Sequence, residues 1–287
     1  MVCFGCDDFR AYDPIQSRIT KDSSSMSHII SETDGAIGII TLNNPDKHNA
    51  FDDRLIADLT QALRELDAAA EVRIVILSAV GKSFSAGADL SWMQRIAVYS
   101  QEENVRDAMA LGLLMKTLHD LRKPTIARVQ GAAYGGGVGL VACCDIAVGT
   151  TSAAFSLSEV KLGLIPAVIS PYVIAAIGER AAHRYFLTAE KFNAAEAHRL
   201  GLLHELAQTD EVMDTKINDI CASLLAAGPQ SLSAAKSLIA AVANHPINDA
   251  LVAETAQRIA RVRVSAEGQE GLSAFLSKRK PSWMSEK

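Results

Sequence analysis

The stretch Gln130-Gly131-Ala132-Ala133-Tyr134-Gly135-Gly136-Gly137-Val138-Gly139 lies between two apolar runs, Thr125 to Val129 before it and Leu140 to Cys144 after it. Three consecutive glycines between a strand-like and a helix-like segment remove every Cβ that would hold a ligand away from the main chain. If a helix starts near Gly136, its first amides lack intrahelical partners and carry the positive end of the helix dipole. Such amides attract an anion or a developing oxyanion. Phosphate binding, dinucleotide binding and stabilisation of a thioester oxyanion all use this feature, and close helix packing would use the same glycines.

Spacing separates these uses. Gly137, Gly139 and Ala142 fit G-x-G-x-x-A, with Glu159 as a downstream acid. In that fold the glycines open directly after a strand, yet Gln130 to Tyr134 intervene, and a second small-residue patch is left without a role. A Walker loop is excluded because no Gly-Lys-Ser/Thr follows the glycines. The second patch, Phe84-Ser85-Ala86-Gly87-Ala88-Asp89-Leu90, follows the buried-strand pattern Ile74-Val75-Ile76-Leu77 and precedes polar, helix-like sequence. Two such turns can each aim one N–H at a single carbonyl oxygen.

Composition narrows the partners. With 287 residues, 49% of them hydrophobic, the chain can bury a large core. A net charge of −5 gives no global basic field for nucleic acid or a membrane surface, so local cations must meet any anionic ligand. Five cysteines (Cys3, Cys6, Cys143, Cys144 and Cys221) form no disulfide framework, which fits a reducing cytoplasm. Cys143 and Cys144 sit in an apolar run and read as core, Cys3-x-x-Cys6 has no second pair to make a metal site, and no metal is expected. No stretch argues for a membrane span. Residues 1–25 are acidic and serine-rich, lack the apolar centre of a signal peptide, and read as a loose extension, with Met26 as the candidate natural start.

In chain order, Ile37 to Leu42 alternates and is β-branched, so it predicts a strand ended by Asn43-Asn44-Pro45. Asp52 to Ala70 predicts a helix, with Leu55, Leu59, Leu63 and Leu66 at helical spacing. Arg73 to Ala79 then returns as a strand. Glu102 to Leu121 predicts a long helix, Thr125 to Val129 a strand, and Asp145 to Gly149 and Ala153 to Leu157 two more strands. Past Pro166 the pattern is helical: Ile174 to Ile177, Glu179 to Leu187, Ala194 to Gly201, Asp210 to Ala227, Gln230 to Val242, Asn248 to Arg263 and Ala266 to Lys278. These patterns predict an α/β core over 26–208 and a helical region over 209–287 that serves docking and oligomerisation.

The ordered set Ser-Ala-Gly-Ala-Asp-Leu, Gly-x-x-x-Gly-Gly-Gly, Cys-Asp-Ile and Ser158-Glu159-Val160-Lys161-Leu162-Gly163-Leu164-Ile165-Pro166 resembles the enoyl-CoA hydratase/isomerase (crotonase) superfamily, from about Ile37 to Lys280. The resemblance implies a spiral of repeated β-β-α units with a C-terminal helical region that builds trimers, commonly paired as hexamers. It implies an acyl-CoA thioester as substrate, with coenzyme A part of that substrate and no separate cofactor. It places the oxyanion donors on the backbone amides of Ala88 and Gly136, where one aligned donor in a dry site is worth about 3 kcal/mol. It places coenzyme A on Lys47, on backbone around Ala86, Asp89 and Leu90, and on Phe275 and Lys278. For Lys278, Arg279 and Lys280 a solvated helix end favoured by the dipole is the plainer alternative, and it weighs most for Arg279 and Lys280.

The family's two catalytic glutamates align with Gly139 and Glu159, so one carboxyl is missing. Glu159 sits between apolar segments, where burial raises a carboxyl's pKa toward useful proton transfer; a capping or surface carboxylate is the plainer alternative. One carboxylate supports either hydration of the double bond or its migration, and the single-glutamate pattern by itself leans toward an isomerase. Ala86 to Met93, Ile165 to Pro171 and Arg263 to Leu272 resemble bacterial methylglutaconyl-CoA hydratases of leucine breakdown, which leans back toward hydration. Ala167 and Val168 stand where the family usually has glycines, so the acyl pocket should differ. A glutaconyl substrate carries a distal carboxylate, for which Lys161 and Tyr134 are the candidate partners, with solvent exposure and packing as their alternatives. A non-catalytic acyl-CoA-binding protein is the reading if Glu159 faces away from the thioester.

Overall fold

The computed structural model describes residues 28–284. The expected extension over 1–25, with Cys3 and Cys6, lies outside the described residues. The chain divides into two units: residues 28–121 with 125–218, and residues 122–124 with 219–284.

The first unit is wound from repeated strand pairs. A hairpin of β1 (Ile29–Asp34) and β2 (Ile37–Leu42) opens it, and α1 (Asp53–Ala68) carries the chain to β3 (Ile74–Ala79), parallel to β2. The Asp52 carboxylate caps α1 by accepting from the Leu55 amide at 2.8 Å. Leu55, Ile56, Leu59, Leu63 and Leu66 give the helix one buried face. After β3, each turn lays one strand in each of two sheets. β3 is followed by β4 (Ser83–Ser85), α2 (Leu90–Ile96) and α3 (Gln101–His119). β5 (Thr125–Val129) is followed by β6 (Ala132–Tyr134) and α4 (Gly136–Cys143). β7 (Ile146–Thr150) is followed by β8 (Ala154–Ser156), a 3₁₀ turn over Glu159–Leu162, and α5 (Ser170–Ile177).

The segments α6 (Glu179–Thr188), β9 (Phe192–Asn193), α7 (Ala194–Leu200), β10 (Glu205–Ala207) and α8 (Asp210–Ala226) follow. The large sheet has the order β1-β2-β3-β5-β7-β10 and the small one β4-β6-β8-β9. All pairs in the large sheet except β1 with β2 are parallel. Every residue of β2, β3 and β5 is buried, which is why these strands read as apolar runs more than as alternation. This is the spiral of β-β-α units that the resemblance implied.

One charge sits deep in this unit. Arg128 on β5 is 1% exposed and donates through Nε to Asp214 Oδ1 of α8 at 2.6 Å and through Nη2 to Oδ2 at 3.2 Å. The bidentate pairing satisfies a guanidinium that the apolar surroundings would otherwise reject.

In the second unit, α9 (Pro229–Val242), α10 (Asp249–Val264) and α11 (Ala266–Leu276) form the helical region read from the sequence. Glu267 of α11 accepts from the amides of Gln230 and Ser231 at 2.9 and 2.7 Å, closing the open N-terminus of α9. The division between the units falls inside α8, after residue 218, and not at the start of that helix. Among the described residues, no helix is long and apolar enough to cross a membrane.

Candidate active site

The two small-residue turns meet. Gly87 has φ +88, and a Cβ placed on it would stand 3.2 Å from the Tyr134 carbonyl oxygen. Gly135 has φ +49, and a Cβ on it would stand 3.9 Å from Gly87 Cα. Both positions therefore favour glycine for their positive φ, and at Gly87 the close approach of the Tyr134 carbonyl adds a second reason.

The amide of Ala88 is oriented by a single parallel bridge. Phe51 N–H donates to Gly87 O at 2.6 Å and Asp89 N–H donates to Phe51 O at 2.8 Å, so the N–H of Ala88 between them points away from Phe51. Gly136 is the first residue of α4, where an amide has no intrahelical acceptor. Among the described residues neither amide has a hydrogen-bond acceptor.

Glu159 opens the 3₁₀ turn after β8, and its Oε1 is 3.1 Å from where a Cβ of Gly135 would be. Its Oε2 is buried without a partner. Burial pushes the carboxyl above its ordinary value, opposed by its own backbone N–H. A buried, unpaired carboxylate oxygen beside two open amides is a proton acceptor in search of a partner, which neither capping nor surface exposure explains.

The position of Gly139 is closed. A Cβ there would fall 2.3 Å from Ile169 Cγ2 and 3.2 Å from Met115 Cε, so no side chain fits without displacing them. Lys161, weighed as a strand residue, lies instead in the 3₁₀ turn, and its Nζ donates to Ala189 O at 2.9 Å. That bond commits one of the ammonium's three N–H groups to the end of α6. The ring of Tyr134 lies under Lys191, whose Nζ is 5.0 Å from its centroid, a cation–π contact the sequence did not signal.

The other implied positions divide. Lys47 Nζ lies 2.9 Å from Asp89 Oδ2, and the Asp89 carboxylate also caps α2 through the amides of Ser91 and Trp92. Hydrogen bonds from Ser91, then from Lys47, hold this carboxyl far below its ordinary value. Lys47 thus joins the loop before α1 to the Ala86–Leu90 turn, where Ala86 N–H donates to His48 O at 2.9 Å and the Leu90 side chain is exposed. Phe275 and Lys278 belong to the second unit. Phe275 is 72% exposed, Lys278 has φ +52 beyond α11, and Arg279 is taken up by an ion pair to Glu270 at 2.6 Å.

Sequence reasoning passed over the residues that hold the turns. Asn49, 1% exposed and at φ +53, donates to the carbonyls of Val80 and Ser83, both at 2.9 Å. Gln130 donates through Nε2 to Ala79 O at 2.9 Å. An Asn just after a strand-ending Pro is a readable signal, since Asn tolerates the left-handed region; nothing local marks Gln130.

Comparison with known proteins agrees with the fold. Residues 32–286 match the enoyl-CoA hydratase/isomerase family. A Thermus thermophilus relative is 34% identical over 248 residues, covering 86% of this chain and 97% of that protein. The solved enoyl-CoA hydratase of Shewanella pealeana is 45% identical with a TM-score of 0.87, covering 89% of this chain and 96% of its own. Pseudomonas aeruginosa AtuE is 31% identical with a TM-score of 0.86, covering 90% of this chain and 100% of its own. With the two-sheet winding, the paired turns and the family match in agreement, the chain belongs to the enoyl-CoA hydratase/isomerase family and has the crotonase fold.

Proposed function

We propose that this protein is an enoyl-CoA hydratase acting on a branched enoyl thioester, 3-methylglutaconyl-CoA, to give 3-hydroxy-3-methylglutaryl-CoA. The observation that carries the reading is the buried, unpartnered Oε2 of Glu159 beside the two open amides. The thioester oxygen accepts from the N–H groups of Ala88 and Gly136, which makes Cβ electrophilic and stabilises the enolate. The Glu159 carboxylate takes one proton from a water molecule as that water's oxygen bonds to Cβ and the π pair moves toward the thioester. The carboxyl then returns the proton to Cα as the carbonyl reforms, so one water is added and Glu159 is regenerated. Coenzyme A enters as part of the substrate, held at Lys47 and the Ala86–Leu90 backbone, and no separate cofactor is needed.

A second reading rests on the closed Gly139 position. With one carboxyl, the same proton can be moved from Cγ to Cα, shifting the double bond without adding oxygen. Turnover of methylglutaconyl-CoA in ¹⁸O-labelled water tests both. Label at the Cβ hydroxyl supports hydration, a migrated double bond without label supports isomerisation, and tight binding without turnover makes the protein a binder.

The exposed apolar side chains of the second unit support assembly into a homotrimer or homohexamer. Ile239, Val264, Phe275 and Leu276 are each at least 67% exposed, and neither α9 nor α10 has a fully buried residue. A cytoplasmic enzyme is the reading that this substrate and the free, buried Cys221 thiol favour.

A further inference from the structure

Residues 48–51 run alongside the turn that carries Ala88. Ala86 N–H donates to His48 O at 2.9 Å, the Ser85 hydroxyl donates to Asn49 O at 2.8 Å, and Phe51 completes the row by donating to Gly87 O and accepting from Asp89 N–H. Phe51 also reaches the second turn. A Cβ on Gly136 would stand 3.2 Å from Cε2 of its ring and 3.4 Å from Cδ2 and Cζ, so the ring is seated against the α-carbon of the residue that offers the other amide. Phe51 is 1% exposed, and its own N–H and C=O are both engaged, so close packing and the bridge together hold the ring where it is.

One residue thus touches the turns of both donors, by main chain at 87–89 and by side chain at 136. Two N–H groups stabilise one developing oxyanion only when their directions and separation are fixed beforehand. A misplacement of about 1 Å can cost about 10²-fold in rate. The bridge sets the direction of the Ala88 amide, and the ring sets how closely Gly136 approaches the chain that carries the bridge.

We infer that Phe51 is a positioning residue for the oxyanion site, its main chain aiming the Ala88 amide and its ring holding the Gly136 amide at the matching distance. It acts through the two amides and contributes no reacting group of its own. The assignment rests on reading these amides as the thioester site.

The test measures by calorimetry the binding of butyryl-CoA and of S-butyl-CoA, its thioether analogue with a methylene in place of the carbonyl, to the unaltered protein, Phe51→Leu and Phe51→Ala. Neither compound has a double bond to hydrate. The unaltered protein should prefer the thioester by about tenfold, the scale of two hydrogen bonds. The preference should shrink in the leucine variant and vanish in the alanine variant while the thioether binds as before; the leucine variant covers the case in which alanine does not fold. The infrared C=O stretch of bound butyryl-CoA should return toward its free-solution value in the same order. A phenylalanine that only fills the core would weaken both ligands together and leave the ratio and the stretch unchanged, which would overturn the assignment. If no water is added to an enoyl-CoA but the preference collapses in the variants, hydration fails and the role of Phe51 stands. An unchanged preference in a working hydratase sinks the role of Phe51 alone, and equal binding of the two compounds by the unaltered protein ends both, since no oxyanion site then exists.

Discussion

At the scale of single residues, Glu159 ties acid–base behaviour to stability. Replacing it with glutamine removes the proton acceptor and should lower kcat/KM by about 10²–10⁴-fold, measured on the enoyl-CoA substrate with the fold checked by circular dichroism. Because burial raises this carboxyl, the rate should fall on the acid side at a pH above the ordinary glutamate value of 4.5, and Glu159→Gln should erase that limb. The linkage has a definite sign. A folded-state pKa above the unfolded value contributes stability that is fully present below the unfolded value and lost as pH rises through the folded one. Glu159→Gln should therefore melt higher than the unaltered protein at pH 8, with the difference gone below pH 4.5. The Ala88 donor behaves differently, because it belongs to the main chain. Conservative side-chain changes at 88 should leave the donor in place, whereas an amide-to-ester replacement there should reduce kcat by about 10²–10³-fold.

At the scale of elements, the packing of α4 on Ile169 can be measured as a coupling. Gly139→Ala should destabilise the protein in urea titration by an amount that largely disappears in an Ile169→Ala background, since the methyl then has space. Additive losses would show that the two positions are not in contact. The capping of α2 gives a simpler expectation: Asp89→Ala removes both the cap and the partner of Lys47, and should cost about 1–2 kcal/mol. The elements legible in the sequence were those with a strong period or full burial. The bounds of β2 and β5 match their apolar runs, and α1 follows its leucines. The elements that were missed are short and irregular. β4 and β6 are three residues each, hidden inside stretches read as turns, because three residues display no period. β1 (Ile29–Asp34) carries Ser, Glu and Asp, and as an edge strand it needs little hydrophobicity to pair. The site was partly legible for the same reason. Its glycines announce themselves, whereas the Asn49 anchor, the Phe51 bridge to Ala88 and the isoleucine at Gly139 depend on segments brought together only by the winding.

At the scale of the whole molecule, burial decides which groups can react or ionise. Cys143, Cys144 and Cys221 are buried, and burial pushes the Cys221 thiol up to about 12. These three thiols should resist a water-soluble disulfide reagent until denaturant is added, and labelling of any of them in the native protein would contradict the packing. The buried Arg128 predicts the opposite kind of fragility. Asp214→Ala leaves the guanidinium only the longer 4.0 Å pairing with Asp210 and should cost about 3 kcal/mol in chemical denaturation, far more than loss of a surface pair such as Arg199 with Glu196. The winding of the core also has a consequence in time. In the large sheet, Val75 pairs with Thr125 and Ile126 with Ile146, so a strand waits for a neighbour made one full circuit later in synthesis. No circuit can complete its own hydrogen bonds, and closing such distant contacts is slow compared with collapse of local helices. A chain of this design should emerge from the ribosome with its early strands still open-edged, and should reach a working oxyanion pocket only after the circuit bearing Glu159 has been laid down.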